Sequence, residues 1–563
     1  MNSSSNRDEA LETSDVTGPA EDPAQDPRAA DREPKTAPGA ISRRRSLAAL
    51  SLRDFHWEAI AVGLGLFALL AAFVAADPAG GVTASASPFT DEGFFTVNAR
   101  NLVQFGHWST DEWNLYLVNL PLSVLQAIWF AISGIGIVQA RLINIACVSL
   151  TAAALVWALR SATSRTIAVF AGLAFATCGL ILYYGRLVYL EDLVVLLLAL
   201  GTLVLAADER LTAGWGALSG LCYAVAIATK ASAVVEVAGV MAAVALIVAW
   251  HDPGARRWLV GAVAAMVVAG LVWLAVIWLP NRSAVSLDLK IWAPVRFSIT
   301  PVEAIKDAGR YILTDNDKLF GLLLGPLVLL GGVGLALVAA FHRRLSRAQA
   351  RLALVSIGWV IFGFGVLLIA SYRPNRYVVP IVPPLAILAA LGLHVLVQWT
   401  TDLTGRRLAR RAGGDQAADA DAAMPRSGAR PMATRVVATL LVVAVTAVAV
   451  APGLLWYSSW ARHATYTMPA AEASLADAVP DGQRVAGTES AIFLLRSHAI
   501  TLLTQRVGGV ANDGNLYAQG VRYYLVPAAD PPPKGVPDAT WTARQRIFCA
   551  VYGGVNQCLY RLP

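Results

Sequence analysis

Two adjacent carboxylates, Asp91 and Glu92, are the residues of this sequence best suited by type and position to do chemistry. They follow an apolar run at 57–76 that is long enough to cross a bilayer as a helix. Ionised carboxylates beside a membrane cost free energy, so they indicate a functional site. A carboxylate that reaches a hydroxyl acts as a general base. The alternative interpretation is N-terminal capping of the helix that follows, which does not exclude catalysis.

Basic side chains recur where apolar runs end, on the same predicted side of the membrane as Asp91. Arginine binds phosphate as a two-pronged donor and lysine binds it as a point charge. Carboxylates and cations together predict displacement of a phosphate-linked group by an acceptor hydroxyl. Structural alternatives exist for each cation: anchoring at the interface, ion pairing, or a loop role. The cations are Arg100, Arg141, Arg186, Lys230, Arg373 and Arg376, and a second acidic pair is Glu191-Asp192.

The composition shows which elements position these residues. The chain has 563 residues, of which 56% are hydrophobic and 15% charged, and its mean hydropathy is +0.56. Such values exclude an ordinary soluble protein and predict a polytopic α-helical membrane protein, since backbone polar groups in lipid must be satisfied within each segment. The predicted spans are 57–76, 138–159, 166–183, 190–207, 213–229, 231–250, 257–279, 319–341, 352–370, 376–398 and 435–456.

A twelfth apolar run, 117–133, decides the side on which every later loop lies. If it does not cross, the arginine clusters at 160–165, 256–257, 343–347 and 406–411 all face the cytoplasm, as the positive-inside rule requires. About eleven transmembrane helices are therefore predicted, and 117–133 becomes a juxtamembrane or re-entrant helix. The arginines are a topology signal and do not indicate nucleic acid. The Ala- and Arg-rich, Lys-poor composition is typical of a GC-rich bacterial genome, and this favours a plasma membrane over an endoplasmic one.

Changes in composition divide the chain into domains. We predict a disordered cytoplasmic tail (1–54), a transmembrane module (55–400) with outer loops 77–137 and 280–318, a cytoplasmic linker (401–434), a last span (435–456) and an extracytoplasmic α/β domain (457–563). Strands are expected at 483–487 and 521–527 in the last domain. If that domain is exported, Cys549 and Cys558 are suited to a disulfide.

The order of short motifs resembles the polyprenyl-phosphate-sugar glycosyltransferases of the GT-C fold, closest to glycosyltransferase family 39. That group contains the protein O-mannosyltransferases and lipid A aminoarabinose transferases. The resemblance covers roughly 55–400, and the order and membrane side of the motifs carry its specificity. The motifs are Asp91-Glu92-Gly93-Phe94, Ala99-Arg100-Asn101, Asn119-Leu120-Pro121-Leu122, Ala140-Arg141-Leu142, Gly185-Arg186 with Glu191, Ala228-Thr229-Lys230, and Arg376-Tyr377 with Pro380.

The resemblance implies roles for individual residues. It implies that Asp91, with its acidic neighbour Glu92, is catalytic, and that the other polar positions bind substrate. Where the family has Lys or His before Pro-Pro-Leu, this chain has Asn119-Leu120-Pro121-Leu122, and Asn119 can offer only a neutral hydrogen bond. The implied substrate-binding residues are Arg100, Asn119, Arg141, Arg186, Glu191, Lys230, Arg373 and Arg376.

The resemblance also implies the reaction and its partners. A polyprenyl-phosphate-linked sugar would be the donor, and a protein, glycan or lipid hydroxyl the acceptor, in one inverting displacement with Asp91 as the base. Some members of the group bind a divalent metal, but the sequence offers no ligand set beyond the weak pair Asp111 and Glu112, so no metal is assigned. A multi-span transporter or lipid flippase is the alternative, although no inverted repeat is found. A non-catalytic envelope scaffold is a third interpretation.

Overall fold

The computed structural model describes most of the chain from His56 onward, and residues 56–563 form one compact unit. The tail predicted at 1–54 therefore lies outside the described residues. The described residues are 56–78, 90–108, 120–207, 211–283, 300, 302–303, 306, 321, 323–369, 374–412, 432–487, 490–502, 506–507, 510–511, 516–533, 535–552 and 555–563.

Long apolar helices make up the first four-fifths of the described chain. A helix occupies each predicted span, and two further helices lie between the first and second spans. Their bounds are α1 (Trp57–Ala71), α2 (Thr90–Phe105), α3 (Leu120–Ser133), α4 (Ile137–Ala162), α5 (Arg165–Ala176), α6 (Gly179–Tyr184), α7 (Leu190–Ala207), α8 (Ala213–Thr229), α9 (Ala233–Ala249), α10 (Pro253–Trp273), α11 (Gly325–Ala340), α12 (Arg347–Ile369), α13 (Val382–Ala412) and α14 (Met432–Ala461).

The predicted class, a polytopic α-helical membrane protein, is confirmed. Among the described residues, five helical segments are long and apolar enough to cross a membrane, and six more helices are apolar but shorter. The prediction of eleven spans remains a prediction. Helix α3 occupies the run that was predicted to be juxtamembrane, and α13 extends to Ala412, beyond the predicted end of its span.

Local sequence signals explain where several helices begin. The hydroxyls of Ser164 and Thr212 accept hydrogen bonds from the first turns of α5 and α8, and the Asp252 carboxylate does the same for α10, which has Pro253 in its first turn. These side chains satisfy backbone N–H groups that have no partner inside the helix. All three caps lie in connections that were predicted to be cytoplasmic.

The predicted span 166–183 is broken in the structure. Helix α5 ends at Ala176 and α6 begins at Gly179, so Thr177 and Cys178 separate them. Gly453 of α14 lies against this break: a Cβ at Gly453 would stand 1.8 Å from the Thr177 carbonyl oxygen. Hydropathy alone predicted one continuous helix here, whereas the structure has two helices with a break against which α14 packs closely.

Helices α8 and α10 approach closely along a row of small residues. A Cβ at Gly216 would lie 2.0 Å from the Trp258 carbonyl oxygen, and one at Gly220 would lie 2.2 Å from that of Ala262. Small residues allow backbones in a membrane to pack this closely. Trp258 is fully buried here and donates its indole N–H to the Ser219 hydroxyl at 3.1 Å.

The C-terminal domain is the small α/β unit that the sequence predicted. Its elements are α15 (Thr467–Ala478), β1 (Arg484–Ala486), α16 (Ser490–Phe493), β2 (Ile500–Leu502), β3 (Arg506–Val507), β4 (Val510–Ala511), β5 (Tyr523–Pro527), α17 (Asp538–Thr542), β6 (Gln545–Tyr552) and β7 (Val555–Arg561). The main sheet has the order β2-β1-β5-β7-β6, with β1 parallel to β2 and β5, and β7 antiparallel to β5 and β6. The two predicted strands are β1 and β5.

A disulfide joins the last two strands. Cys549 and Cys558 are directly opposite in the β6–β7 register and are bonded to each other. The bond closes the hairpin at the edge of the sheet. The other cysteines, Cys147, Cys178 and Cys222, are free thiols in the helices or between them, as expected for small apolar side chains.

Candidate active site

Helix α2 carries the two acidic residues of the first loop in its first turn. Neighbouring residues on an α-helix point about 100° apart, so Asp91 and Glu92 face different surroundings. The Asp91 side chain is 22% exposed and forms an ion pair with Arg376, whose Nη1 lies 2.8 Å from Oδ2. The Glu92 side chain is fully buried. Only Asp91 of the two is open to an incoming substrate.

Glu92 is held by three donors inside the protein. Arg141 of α4 donates to both of its carboxylate oxygens, each at 2.8 Å, and the backbone N–H of Val188 donates to Oε1 at 3.0 Å. Arg141 also donates to the carbonyl oxygens of Val74 at 2.7 Å and Ala76 at 3.0 Å. This bidentate pair joins the segment that follows α1, helix α2, helix α4 and the connection before α7.

A second ionic group lies beside Asp91. Arg376 bridges two carboxylates, because its Nε lies 3.4 Å from Glu191 Oε1 while its Nη1 contacts Asp91. Lys230 forms an ion pair with the same Glu191 oxygen, and its Nζ lies 3.8 Å from the centre of the Tyr377 ring. The result is a continuous chain of alternating charges: Asp91, Arg376, Glu191, Lys230.

The elements that position this charge chain come from four separate parts of the sequence. Glu191 is in the first turn of α7, and Lys230 caps the C-terminus of α8. Each charge matches the helix dipole at its position. Arg376 lies in a short 3₁₀ helix, Asn375–Ile381, that leads into α13. Arg376 and Lys230 keep 10% and 13% of their side-chain surface exposed, so neither cation is completely buried.

The other expected substrate-binding arginines are occupied by the protein itself. Arg100 and Arg141 are fully buried, and Arg186 is 1% exposed. Arg186 donates to the carbonyl oxygens of Ala76 at 2.8 Å and Asp77 at 2.9 Å, and burial lowers its pKa to about 10. The structure therefore departs from the expectation that these three guanidiniums meet the substrate. They donate to main-chain carbonyls and also, for Arg141, to Glu92 and, for Arg100, to Asn101 Oδ1.

Several polar residues of this region were not expected from the sequence. Asp77 accepts four hydrogen bonds from Thr465, Thr467 and Met468, at 2.7–2.9 Å. Burial alone would raise its pKa, but these hydrogen bonds outweigh burial and hold the pKa below its usual value. The signal available in the sequence is an aspartate directly after a span and directly before Pro78.

Buried polar groups also continue beyond the charge chain, into the helices. Asp192 is fully buried and accepts from Asn144 Nδ2 at 2.9 Å. The same Nδ2 donates to the Tyr189 carbonyl at 2.6 Å. Glu236 of α9 is 3% exposed, and its Oε2 has no hydrogen-bond partner among the described residues. Asp192 was singled out in the sequence together with Glu191, whereas the apolar runs that contain Asn144 and Glu236 gave no reason to expect buried polar groups there.

Four of the sequence candidates lie outside the described residues: Asn119, Arg373 and the weak metal pair Asp111 and Glu112. Within the described part of the chain, no group of three or more His, Cys, Asp or Glu side chains could hold a metal ion. Glu191 and Asp91 are instead neutralised by Lys230 and Arg376. The described residues therefore do not fit a metal site.

Comparison with solved structures identifies the fold. The structure of ArnT from Cupriavidus metallidurans bound to undecaprenyl phosphate matches with a TM-score of 0.56 and 17% identity, over 91% of this chain and 98% of that one. The apo structure of the same protein matches with a TM-score of 0.55 and 18% identity, over 89% and 97%. The chain has the fold of ArnT. The predicted GT-C-like membrane fold is therefore confirmed.

Other comparisons are weaker or negative. The archaeal oligosaccharyltransferase AglB from Archaeoglobus fulgidus, in complex with an inhibitory peptide and a dolichol-phosphate, gives a TM-score of 0.45 and 13% identity over 85% of this chain and 70% of that one. No family model matches the chain, and no curated protein sequence matches it. The likeness is thus one of fold, and the chemistry has to be argued from the site.

Proposed function

We propose that this protein is a membrane glycosyltransferase that moves a sugar from a polyprenyl-phosphate donor to an acceptor hydroxyl. The observation that carries the proposal is the exposed Asp91 carboxylate beside two cations, Arg376 and Lys230, that share Glu191. A base next to two cations that can turn to a phosphate is what this displacement requires. The ligand of the ArnT structure, undecaprenyl phosphate, supports a lipid phosphate as the leaving group.

The proposed reaction is a single displacement at the anomeric carbon. Asp91 takes the proton of the acceptor hydroxyl while the hydroxyl oxygen bonds to that carbon from the face opposite the phosphate. The bond between the anomeric carbon and the phosphate oxygen breaks, and its electron pair leaves with the lipid phosphate. The configuration of the sugar is inverted. The proton stays on Asp91 until solvent removes it.

Arg376 and Lys230 stabilise the phosphate as its negative charge grows. Fixed cations in a site shielded from bulk water act strongly on developing charge. Before the donor binds, both cations are paired with carboxylates. Arg376 also holds Asp91 Oδ2 at 2.8 Å, which keeps this carboxylate in place. Donor phosphate that draws Arg376 away would release Asp91 for the acceptor.

Glu92 and Arg141 take a different role in this proposal from the one the resemblance implied. Because both are fully buried and saturated by each other, Val188 N–H and two carbonyls, we assign them as positioning residues. They fix the first turn of α2 and therefore the carboxylate of Asp91. Only Asp91, Arg376 and Lys230 are assigned to touch the reacting groups.

We also propose that this site lies at the outer face of a plasma membrane, with the N-terminus cytoplasmic and the C-terminal domain outside. The Cys549–Cys558 disulfide supports this side, since disulfides persist in oxidising compartments. A lipid-linked donor suits a compartment without nucleotide sugars. The acceptor class, whether protein, glycan or lipid, is left to experiment.

The first test is sugar transfer in membranes that contain wild type, Asp91→Asn or Asp402→Asn, with a panel of radiolabelled polyprenyl-phosphate sugars. Asp402 is an exposed aspartate paired with Arg344, and it serves as the matched control. We expect wild type and Asp402→Asn to transfer equally. Asp91→Asn should lose about 10²–10⁴-fold, the usual contribution of a general base.

The outcomes separate the functions considered. Equal transfer by Asp91→Asn at equal protein abundance would show that Asp91 is not the base. If wild type transfers from no donor but moves a lipid-linked sugar or another solute across vesicles, the transporter alternative is correct. If it does neither, the scaffold interpretation takes its place.

A further inference from the structure

Helix α2 is held between the transmembrane helices and the C-terminal domain. On one side, Glu92 is bound by Arg141 of the transmembrane helices. On the other, the helix lies against the segment 490–499 of the C-terminal domain, which it contacts through Gly93, Arg100 and Gln104. The helix that carries the proposed base is thus not attached to the transmembrane helices alone.

Arg100 makes the strongest of these contacts. Its Nε donates to the Leu495 carbonyl at 3.0 Å, and its Nη2 donates to those of Ser497 and Ala499 at 2.5 and 2.6 Å. Gln104, one turn later, donates to the same Ser497 carbonyl at 2.9 Å. Arg100 is fully buried, and among the described residues it forms no ion pair with a carboxylate. Burial lowers its pKa to about 10, so it remains charged at neutral pH.

A buried guanidinium needs its donors filled, because an unpaired buried charge costs several kcal/mol. Three of the four acceptors that fill them are carbonyls of the C-terminal domain, and the fourth is Asn101 Oδ1 of α2 itself, 3.1 Å from Nη1. Without that domain, Nε and Nη2 of Arg100 would lose these partners in a buried position. The helix and the domain therefore have to dock together.

Gly93 makes the approach at the other end of the helix. A Cβ at this position would stand 2.6 Å from the backbone nitrogen of Ile492 and 2.9 Å from its Cα. Real Cβ atoms do not approach backbone atoms so closely, so only glycine fits without a shift. Val97 and Ala491 pack beside this contact and are fully buried.

We propose that Arg100 is a positioning residue through which the docked C-terminal domain sets the place of the Asp91 carboxylate. This inference rests on the proposed function, in which Asp91 is the base. Asp91 and Arg100 are on one helix, about 14 Å apart along its axis. Restraint at Arg100 and Gly93 therefore fixes the tilt and axial position of the turn that carries Asp91. A misplacement of about 1 Å can cost 10²-fold in rate.

This role differs from acceptor selection, which is another role that a domain beside the site could have. A domain that only selects acceptors would change KM for the acceptor when its contacts are weakened. A domain that positions the base would change kcat instead. KM for the donor should stay the same in either case, because Lys230 and Arg376 belong to other elements.

The test uses the full-length protein with two variants and a matched control for each. Arg100→Gln removes the charge that the carbonyls bind, and Arg546→Gln changes an exposed arginine of β6. Gly93→Ala places a methyl group against Ile492. Gly65→Ala adds the same methyl group in α1, where nothing lies within 4 Å. Two readouts are taken: steady-state transfer kinetics, and hydrogen exchange of the amides of α2.

We expect kcat to fall about 100-fold in Arg100→Gln and Gly93→Ala, with KM for donor and acceptor changed less than about twofold. Exchange of the α2 amides should rise at least about tenfold while that of α4 is unchanged. The two controls should match wild type in both readouts. Gly93→Ala decides the question if Arg100→Gln does not fold.

Two results would overturn the inference. One is an unchanged kcat and unchanged α2 exchange in both variants. The other is a raised KM for donor or acceptor with kcat intact, which would make Arg100 or the domain part of a binding site. If wild type itself transfers no sugar, the proposed function fails, yet the exchange measurement still shows whether the domain restrains α2.

Discussion

The two ends of helix α4 carry similar ion pairs in opposite environments. At its first end, Arg141 and Glu92 are both fully buried. At its last end, Arg160 approaches Glu58 at 3.2 Å, and Arg165 of the next helix reaches the same carboxylate at 3.1 Å. Here the arginine side chains are 36% and 67% exposed. The residue types match, but the access of water and the geometry differ, since Arg141 binds both oxygens of Glu92 whereas Arg160 and Arg165 each approach Glu58 through Nε.

The comparison teaches that the same pair of residues serves two purposes. An exposed pair gains little, because water screens it and its long side chains lose entropy. A buried pair costs desolvation, so it persists where its exact geometry is needed. The buried end contains the proposed site, and the exposed end contains the arginines that predicted the topology. At the buried end, Arg141 and Glu92 hold each other and nearby backbone groups in place. At the exposed end, the arginines face water and lipid head groups.

The largest effect should come from removing one charge at the buried end. Glu92→Gln keeps the shape of the side chain but leaves Arg141 buried and unneutralised. We expect a loss of about 3–5 kcal/mol in the free energy of unfolding. Thermal unfolding of the purified protein in detergent measures it. Replacing both partners, as in Glu92→Leu with Arg141→Met, should recover much of the stability without restoring transfer. A single variant as stable as wild type would contradict the buried-pair argument.

An intermediate effect is expected from Glu472 of α15, which is 5% exposed and has one oxygen without a hydrogen-bond partner among the described residues. Burial raises its pKa to about 7, although Arg496 and Arg141 oppose the shift. The folded state therefore binds the proton more tightly than the unfolded state, whose pKa is near 4.5. Stability from this group is complete below pH 4.5 and declines as the pH rises to about 7, by up to about 3 kcal/mol.

Melting curves from pH 5 to 8 test this slope. In Glu472→Gln the part of the decline that comes from this residue should disappear, and the variant should melt higher than wild type at pH 8. Wild-type and variant curves that stay parallel across the range would show that Glu472 is solvated. That result would mean that water reaches this carboxylate of the C-terminal domain, as it reaches the arginines at the exposed end of α4.

The smallest effect should be found at the exposed end. Glu58→Gln removes the carboxylate shared by Arg160 and Arg165, and we expect a change of no more than about 1 kcal/mol in unfolding free energy. Transfer activity should not change. High salt should reduce even this difference. A loss as large as that of Glu92→Gln would break the comparison between the two ends.

The sequence predicted much of the fold because hydropathy is a strong signal. Helix α8 has the predicted bounds 213–229, and β1 and β5 lie within the predicted strands. The break between α5 and α6 was missed, because it depends on Gly453 of a distant helix. Hydropathy records the composition of one segment and carries no information about which other segment approaches it.

The sequence pointed to the residues of the candidate site by type, and the structure adds their partners. Asp91 and Glu92 are adjacent carboxylates in the sequence, and both were interpreted as catalytic. Their contacts differ only in three dimensions, where Arg376 pairs with Asp91 and Arg141 with Glu92, and the separate roles that we propose for them rest on these contacts. Likewise, Arg100 was expected at the substrate, and its carbonyl partners come from a part of the chain that the resemblance did not cover.

The hydrogen bonds of Asp77 have a consequence for biosynthesis. Asp77 follows the first transmembrane helix, yet its partners Thr467 and Met468 are 390 and 391 positions further along the chain. A nascent chain released into the membrane before those residues emerge already contains Asp91, Glu191, Lys230 and Arg376. It nevertheless lacks the groups that close the structure around them. Translation must therefore continue at least to Met468 before Asp77 can form these hydrogen bonds. A chain terminated before that residue should not transfer sugar.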